Sequence, residues 1–206
     1  VRFIEYQQHD DGGWRYTGEK SERSDTSVSG WQVLALKSAL AAKLDVGPGS
    51  IDRLKSFFAS CETGRDGRTG YMAGSTPNTE ATTGVGMLVH HFMLSQPDSE
   101  LVRQAAPFLA SLAERRGWGG NDYYLWYNCT LAMFLSGGQP WERWNSIVRD
   151  TVIGLQAKGG CARGSWPPEN AVYGSAGGRI YTTALAVLTL ESYYRFVRAA
   201  AHDSEK

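Results

Sequence analysis

Residues 6–40 read YQQHDDGGWRYTGEKSERSDTSVSGWQVLALKSAL, and this stretch sets the pattern on which the rest of the chain is built. It holds the end of one helix, a glycine-rich turn carrying an aromatic (Gly12-Gly13-Trp14), and a second helix. That second helix opens at Asp25-Thr26-Ser27 and turns apolar from Val33. Glycine allows the tight turn, and a side-chain oxygen at the helix start can accept from amides that no helical carbonyl reaches. The phrase returns three times in weaker form. Ser29-Gly30-Trp31-Gln32-Val33-Leu34 aligns with Thr83-Gly84-Val85-Gly86-Met87-Leu88, with Cys129-Thr130-Leu131-Ala132-Met133-Phe134, and with Thr183-Ala184-Leu185-Ala186-Val187-Leu188. The separation is about 50 residues, a length at which a period signals stacked supersecondary units.

Ahead of each of these helices stands a glycine with an aromatic: Gly13-Trp14, Gly70-Tyr71, Gly117-Trp118 and Gly164-Ser165-Trp166. Ahead of those lie apolar helical stretches over 1–8, 51–61, 101–112 and 141–156. The unit is helix, glycine-aromatic loop, helix, and it occurs roughly four times. Caps mark its edges. Asp25 or Thr26, Thr79 and Asp122 precede second helices, while Ser50, and Asp98 or Ser99, precede first helices. Pro140 suits a first turn, and Pro107 inside its helix should kink it. The Gly-, Pro- and Ser-rich segments 63–78 and 158–178 read as loops, residues 1–199 as one repeat domain, and 200–206 as a frayed tail.

The second helices are lined with small residues: Ser29, Gly30 and Ala35; Thr82, Thr83, Gly84 and Gly86; Ala132; Thr182, Thr183, Ala184 and Ala186. The first helices carry charges on one face, among them Arg53, Lys55, Arg103, Arg143 and Arg149. This contrast predicts an all-α fold with an inner ring of second helices and an outer ring of first helices. Such a curved stack of hairpins leaves a central cavity.

Composition narrows the partners. The 206 residues are 42% hydrophobic, and 21 Lys+Arg balance 21 Asp+Glu. That balance points away from nucleic acid, which calls for a basic stripe. No apolar run approaches the roughly 20 residues of a membrane span. Cys61, Cys129 and Cys161 are widely spaced and suggest neither a metal clip nor a disulfide framework. The chain opens at Val1 inside an apparent helix, which suggests a piece of a longer protein; the compartment stays open.

Gln8-x-x-x-Gly12-x-Trp14, with Asp25-Thr26 before an apolar helix, resembles the repeat of squalene and hopene cyclases. The chain as a whole resembles the prenyltransferase and squalene oxidase repeat group, whose fold is the α/α toroid. The fourth unit keeps Gln156, Gly159-Gly160 and Trp166, while the middle two keep only Gly-Tyr or Gly-Trp. The resemblance implies that Gln8, Gly12, Trp14, Tyr71, Trp118 and Trp166 tie outer helices together. It also implies an isoprenoid-like ligand. The family's catalytic patterns are missing: Arg23-Ser24-Asp25-Thr26 holds a single Asp where the cyclases have an acidic run, and Asp122-Tyr123-Tyr124 lacks the zinc-binding Cys of protein prenyltransferases. We therefore expect no catalytic residue, cofactor or metal here, and a cavity-bearing module that binds or packs. An isoprenoid enzyme with its acid elsewhere in the parent chain, or a carbohydrate-active hydrolase or lyase, are the alternatives.

The candidate ligand-binding residues are Asp25, Glu80, Asp122, Tyr123, Trp126, Tyr127, Arg179 and Tyr181. The three acids stand at second-helix starts, where they would form a carboxylate rim or simply cap. Tyr123, Trp126 and Tyr127, with Tyr173 and Tyr181, would line an aromatic mouth suited to isoprenoids, cations or sugar faces. Arg179 opposes the dipole of its helix start unless it meets a carboxylate such as Asp122 or an anionic ligand. It is the strongest single pointer to a functional rim. His90-His91 and the His9-Asp10-Asp11 turn have plainer readings, as core or surface histidine and as an exposed turn. The expected partners are an isoprenoid-like or saccharide ligand, and the rest of the parent chain or a second copy.

Overall fold

Two of the four helices lined with small residues, those at 80–92 and 123–136, are the ones around which their neighbours pack. A computed structural model describes residues 1–64, 66–75, 80–116 and 121–203. Among these the chain is all-helical: α1 (Arg2–Tyr6), α2 (Thr26–Ala41), α3 (Pro48–Cys61), α4 (Glu80–Phe92), α5 (Glu100–Arg116), α6 (Tyr123–Ser136), α7 (Gly138–Gly154) and α8 (Gly174–Asp203). Strand pairing there is limited to isolated bridges, Glu62 with Thr69 and Asn121 with Ala171. Thr79 and Trp118, singled out above as a cap and a loop aromatic, lie outside the described residues. The chain divides into two compact units, Val1–Ala105 and Ala106–Lys206.

In the first unit α2 packs on α4, and α3 on α4. The helix backbones approach at Gly30, where a Cβ would come within 2.6 Å of Val85 Cγ1. Residues Thr82 to His90 of α4 are all buried, so this helix is covered on every side. Trp14, Val33, Leu36, Leu54, Phe57, Phe58, Val85 and Val89 fill the space between. In the second unit α6 packs on α8 and on α7. Leu125 to Met133 of α6 are buried without a break, and the Trp144 indole of α7 donates to Thr130 Oγ1 at 2.9 Å. A helix apolar all round belongs in the middle of its unit, as both of these are.

One joint between loop and helix recurs. The Trp14 amide donates to Ser29 Oγ at 2.9 Å, the Thr69 amide to Thr83 Oγ1 at 3.2 Å, and the Trp166 amide to Thr183 Oγ1 at 3.1 Å. The Thr82 and Thr182 hydroxyls return the bond to the carbonyls of Thr69 and Trp166, each at 2.7 Å. The two tryptophans also reach a preceding helix: Trp14 Nε1 donates to Ile4 O at 2.8 Å, Trp166 Nε1 to Val152 O at 2.6 Å. Two glutamines close the turns ahead of them. Gln8 Nε2 donates to Gly12 O and Gln156 Nε2 to Gly164 O, at 2.8 and 2.9 Å. Both glycines have positive φ, 95° and 85°. The middle turn is built the same way on Gly67 (φ 65°) and Thr69, so its counterpart of Trp14 is Thr69 rather than Tyr71. Tyr71 lies two residues on, where its carbonyl accepts from the Thr26 amide at 2.8 Å.

Other boundaries shift. Helix α3 starts at Pro48, so Ser50 lies inside it and donates to Gln8 Oε1 instead of capping. Asp25 and Asp122 do cap, accepting from the amides of Val28 and Leu125, and Ser99 accepts from Val102. Helix α8 starts inside the stretch read as loop, breaks at Gly178 (φ 63°, ψ −168°), and runs on to Asp203 past the expected frayed end.

A Cβ on Gly12 would run into the Arg53 carbonyl and would have to hold φ at 95°. Gly12→Ala should therefore cost about 2–4 kcal/mol in urea unfolding. Gly159→Ala, with nothing within 4 Å, should change stability by under about 1 kcal/mol.

Candidate functional site

Arg179 is the first helical residue after the break at Gly178, so it stands where the second segment of α8 begins. Together with Ser165, Ile180, Thr183 and Ala184 it lines an open groove of about 460 Å³. Its guanidinium donates to Ser165 Oγ at 3.2 Å and faces Glu169 Oε1 at 3.7 Å. The carboxylate it meets is thus Glu169, from the loop before α8, not Asp122. That ion pair is open to water and weak. The other wall is apolar, with Ile180 86% exposed on the helix surface. The groove itself presents an apolar surface; the Arg179 guanidinium stands at its edge, turned to Ser165 and Glu169, and Thr183 Oγ1 accepts from the Trp166 amide.

The aromatics of α6 are elsewhere. Tyr123, Trp126 and Tyr127 are buried, and Tyr123 packs edge-on against Trp126 with centroids 5.0 Å apart. They form core, not an open mouth. The Tyr123 hydroxyl has no hydrogen-bond partner, and burial pushes its phenol up to about 12. Burial first, then the Asp122 carboxylate, hold the Tyr181 phenol far above its ordinary value.

In the first unit Asp25 is 0% exposed. Its Oδ1 accepts from Val28 N at 2.8 Å and Ser27 Oγ at 2.6 Å, which satisfies the start of α2. Its Oδ2 has no hydrogen-bond partner; Arg15 Nε stands 4.0 Å away and also faces Glu22 Oε1 at 3.4 Å. Tyr71 completes the cluster: burial and the Asp25 charge raise its phenol, which faces both Ser27 and the Asp25 carboxylate. Glu80 sits in the first turn of α4 and is half-buried. The sequence reading missed Arg15, Ser27 and Tyr71 as company for Asp25, and Ser165 and Ile180 as company for Arg179. Arg15, Tyr71 and Ser165 come from loops whose return path no local pattern reveals.

His90 and His91 also separate. His90 Nε2 pairs with Glu62 Oε1 at 3.0 Å. At His91, burial and then the His90 charge push the imidazole down from 6.5 to about 4, with Asp98 pulling weakly the other way. Among the described residues, no three His, Cys, Asp or Glu side chains gather as metal ligands would, and no helix is long and apolar enough to cross a membrane.

Two predictions follow from these environments. Tyr123→Phe removes an unpaired buried hydroxyl, so it should leave stability unchanged or raise it by up to about 1 kcal/mol in chemical denaturation. The folded state disfavours the charged form of His91, so its contribution is complete above pH 6.5 and is lost as pH falls towards 4. For a partly exposed ring that loss is on the order of 1 kcal/mol, and His91→Gln should flatten this part of the pH–stability curve.

Compared with protein-family models, curated proteins and solved structures, the chain matches none of them.

Proposed function

We propose that the chain is a repeat module of the α/α-toroid type found in terpenoid cyclases and protein prenyltransferases, and that it binds a ligand without itself carrying out chemistry. The recurring loop-to-helix joint at Ser29, Thr83 and Thr183, with central helices α4 and α6 buried along their length, supports the toroid-type reading. The observation that carries the ligand-binding reading is the Arg179 guanidinium at the edge of an apolar groove. A guanidinium at a helix start is electrostatically opposed by the helix, and Glu169 at 3.7 Å relieves it only in part. An anionic ligand would relieve it further, and Ile180 and Ala184 offer the ligand an aliphatic surface. An isoprenoid diphosphate has both parts, which agrees with the family that the first repeat resembles.

Farnesyl diphosphate titrated into the protein by calorimetry should bind saturably, while inorganic diphosphate should bind more weakly for want of the tail. Arg179→Ala should weaken farnesyl diphosphate at least about ten-fold, the loss of a charge-assisted hydrogen bond. Binding unchanged in that variant, no binding at all, or binding of neutral oligosaccharides in its place would each overturn the reading.

A further inference from the structure

His9 is 1% exposed, and both of its ring nitrogens face main-chain carbonyls. Nδ1 lies 2.9 Å from Glu22 O and Nε2 lies 3.1 Å from Thr17 O. A carbonyl oxygen only accepts, so each contact needs a proton on its nitrogen, and a neutral imidazole carries one. The neutral ring would set a nitrogen lone pair against a carbonyl oxygen and leave that buried nitrogen unpaired. Both carbonyls belong to the segment 15–24, which leaves the core after Trp14 and returns at Asp25. The segment is also held through Lys20, whose carbonyl accepts from Asp10 N at 3.0 Å and whose ammonium donates to Tyr6 O, through Arg23, which donates to Ala73 O at 2.5 Å, and through Ser24, whose amide and hydroxyl donate to the Asp11 carboxylate at 2.9 and 2.5 Å.

The charged groups around the ring are consistent with a cation. Asp11, on the same turn, is the nearby carboxylate. Burial opposes its ionisation, but the hydrogen bonds from Ser24 and Gly13 outweigh it and hold its carboxyl below the usual 3.8. Within the segment, Glu22 turns to Arg15 at 3.4 Å, and the Lys20 ammonium sits 4.6 Å from the centre of the Tyr6 ring. From α3, Arg53 is drawn to Gln8 Oε1 at 2.6 Å. From the start of α2, Asp25 is committed to the Val28 amide and Ser27.

We propose that His9 is held as the imidazolium and acts as a proton-dependent clasp. With both ring nitrogens protonated it fastens the segment 15–24, and with it Arg15, beside the Asp25 carboxyl. Loss of one proton frees one of the two carbonyls and loosens the segment. The inference is independent of the ligand proposed for the Arg179 groove.

The full chain is followed from about pH 5.5 to about pH 8.5, a range in which an imidazole can change charge. Two-bond ¹H–¹⁵N spectra report the protons on the His9 ring. Exchange protection at the Asp10, Glu22 and Ser24 amides, corrected for the intrinsic effect of pH, reports the segment. Both ring nitrogens should carry protons at the acid end. As pH rises one proton should leave, and protection at those amides should fall about ten-fold in the same step, the loss of one charge-assisted bond. His9→Gln, a neutral side chain with two donors, should show no such step. A single neutral tautomer at the acid end, a ring that loses its proton while protection stays constant, or a step that survives in His9→Gln would overturn the proposal. The spectra of the unsubstituted protein decide it even if the variant fails to fold.

Discussion

The hydrogen bond from a loop amide to a hydroxyl on a buried helix is the constraint that the rest of the structure depends on. A loop amide pulled under a helix must find an acceptor or cost roughly 1–3 kcal/mol. Ser29, Thr83 and Thr183 supply that acceptor from side chains small enough to let the loop backbone lie against the helix. At Trp14 and Trp166 the indole then reaches back to a carbonyl of the preceding helix. Loop, second helix and first helix are so joined through one residue, and the order of those three elements along the chain follows from it.

The same joints place the polar residues. Because Trp14 and Asp25 are tied by a main-chain bond of 3.1 Å, the ten residues between them must leave the core and return to it. That excursion brings Arg15, itself paired with Glu22, to the Asp25 carboxyl and ties Glu22 and Ser24 to His9 and Asp11. In the second unit the Trp166 joint fixes Ser165 against the start of α8, and Arg179 follows from the helix break at Gly178. In each unit the polar cluster is a by-product of how a loop is pinned.

Much of this was legible in the sequence, and the exceptions have physical causes. Hydroxyl-bearing small residues at Ser29, Thr83 and Thr183 are visible because only such residues both permit close packing and accept a bond. Asp25 and Asp122 are visible as caps because unpaired first-turn amides demand them. In the middle loop Thr69 performs the main-chain half of the Trp14 role without an indole, so the glycine-aromatic pair Gly70-Tyr71 draws the alignment two residues too far. The Tyr123–Tyr127 run reads as a mouth because an aromatic residue carries the same signal whether it faces a cavity or a core. Only the closure of neighbours around Trp126, fully buried, distinguishes the two. Arg179 was legible for the opposite reason: a charge set against a helix dipole is a local conflict, visible without knowledge of the fold.

The most direct measurement of the joint is the stability of Ser29→Ala, Thr83→Val and Thr183→Val, each taken singly through urea unfolding. Each change keeps nearly the same shape while removing the acceptor of one loop amide. The account predicts a loss of about 1–3 kcal/mol at all three positions, with faster exchange at the amide of Trp14, Thr69 or Trp166 in the matching variant. Unchanged stability and unchanged exchange at these amides would contradict it.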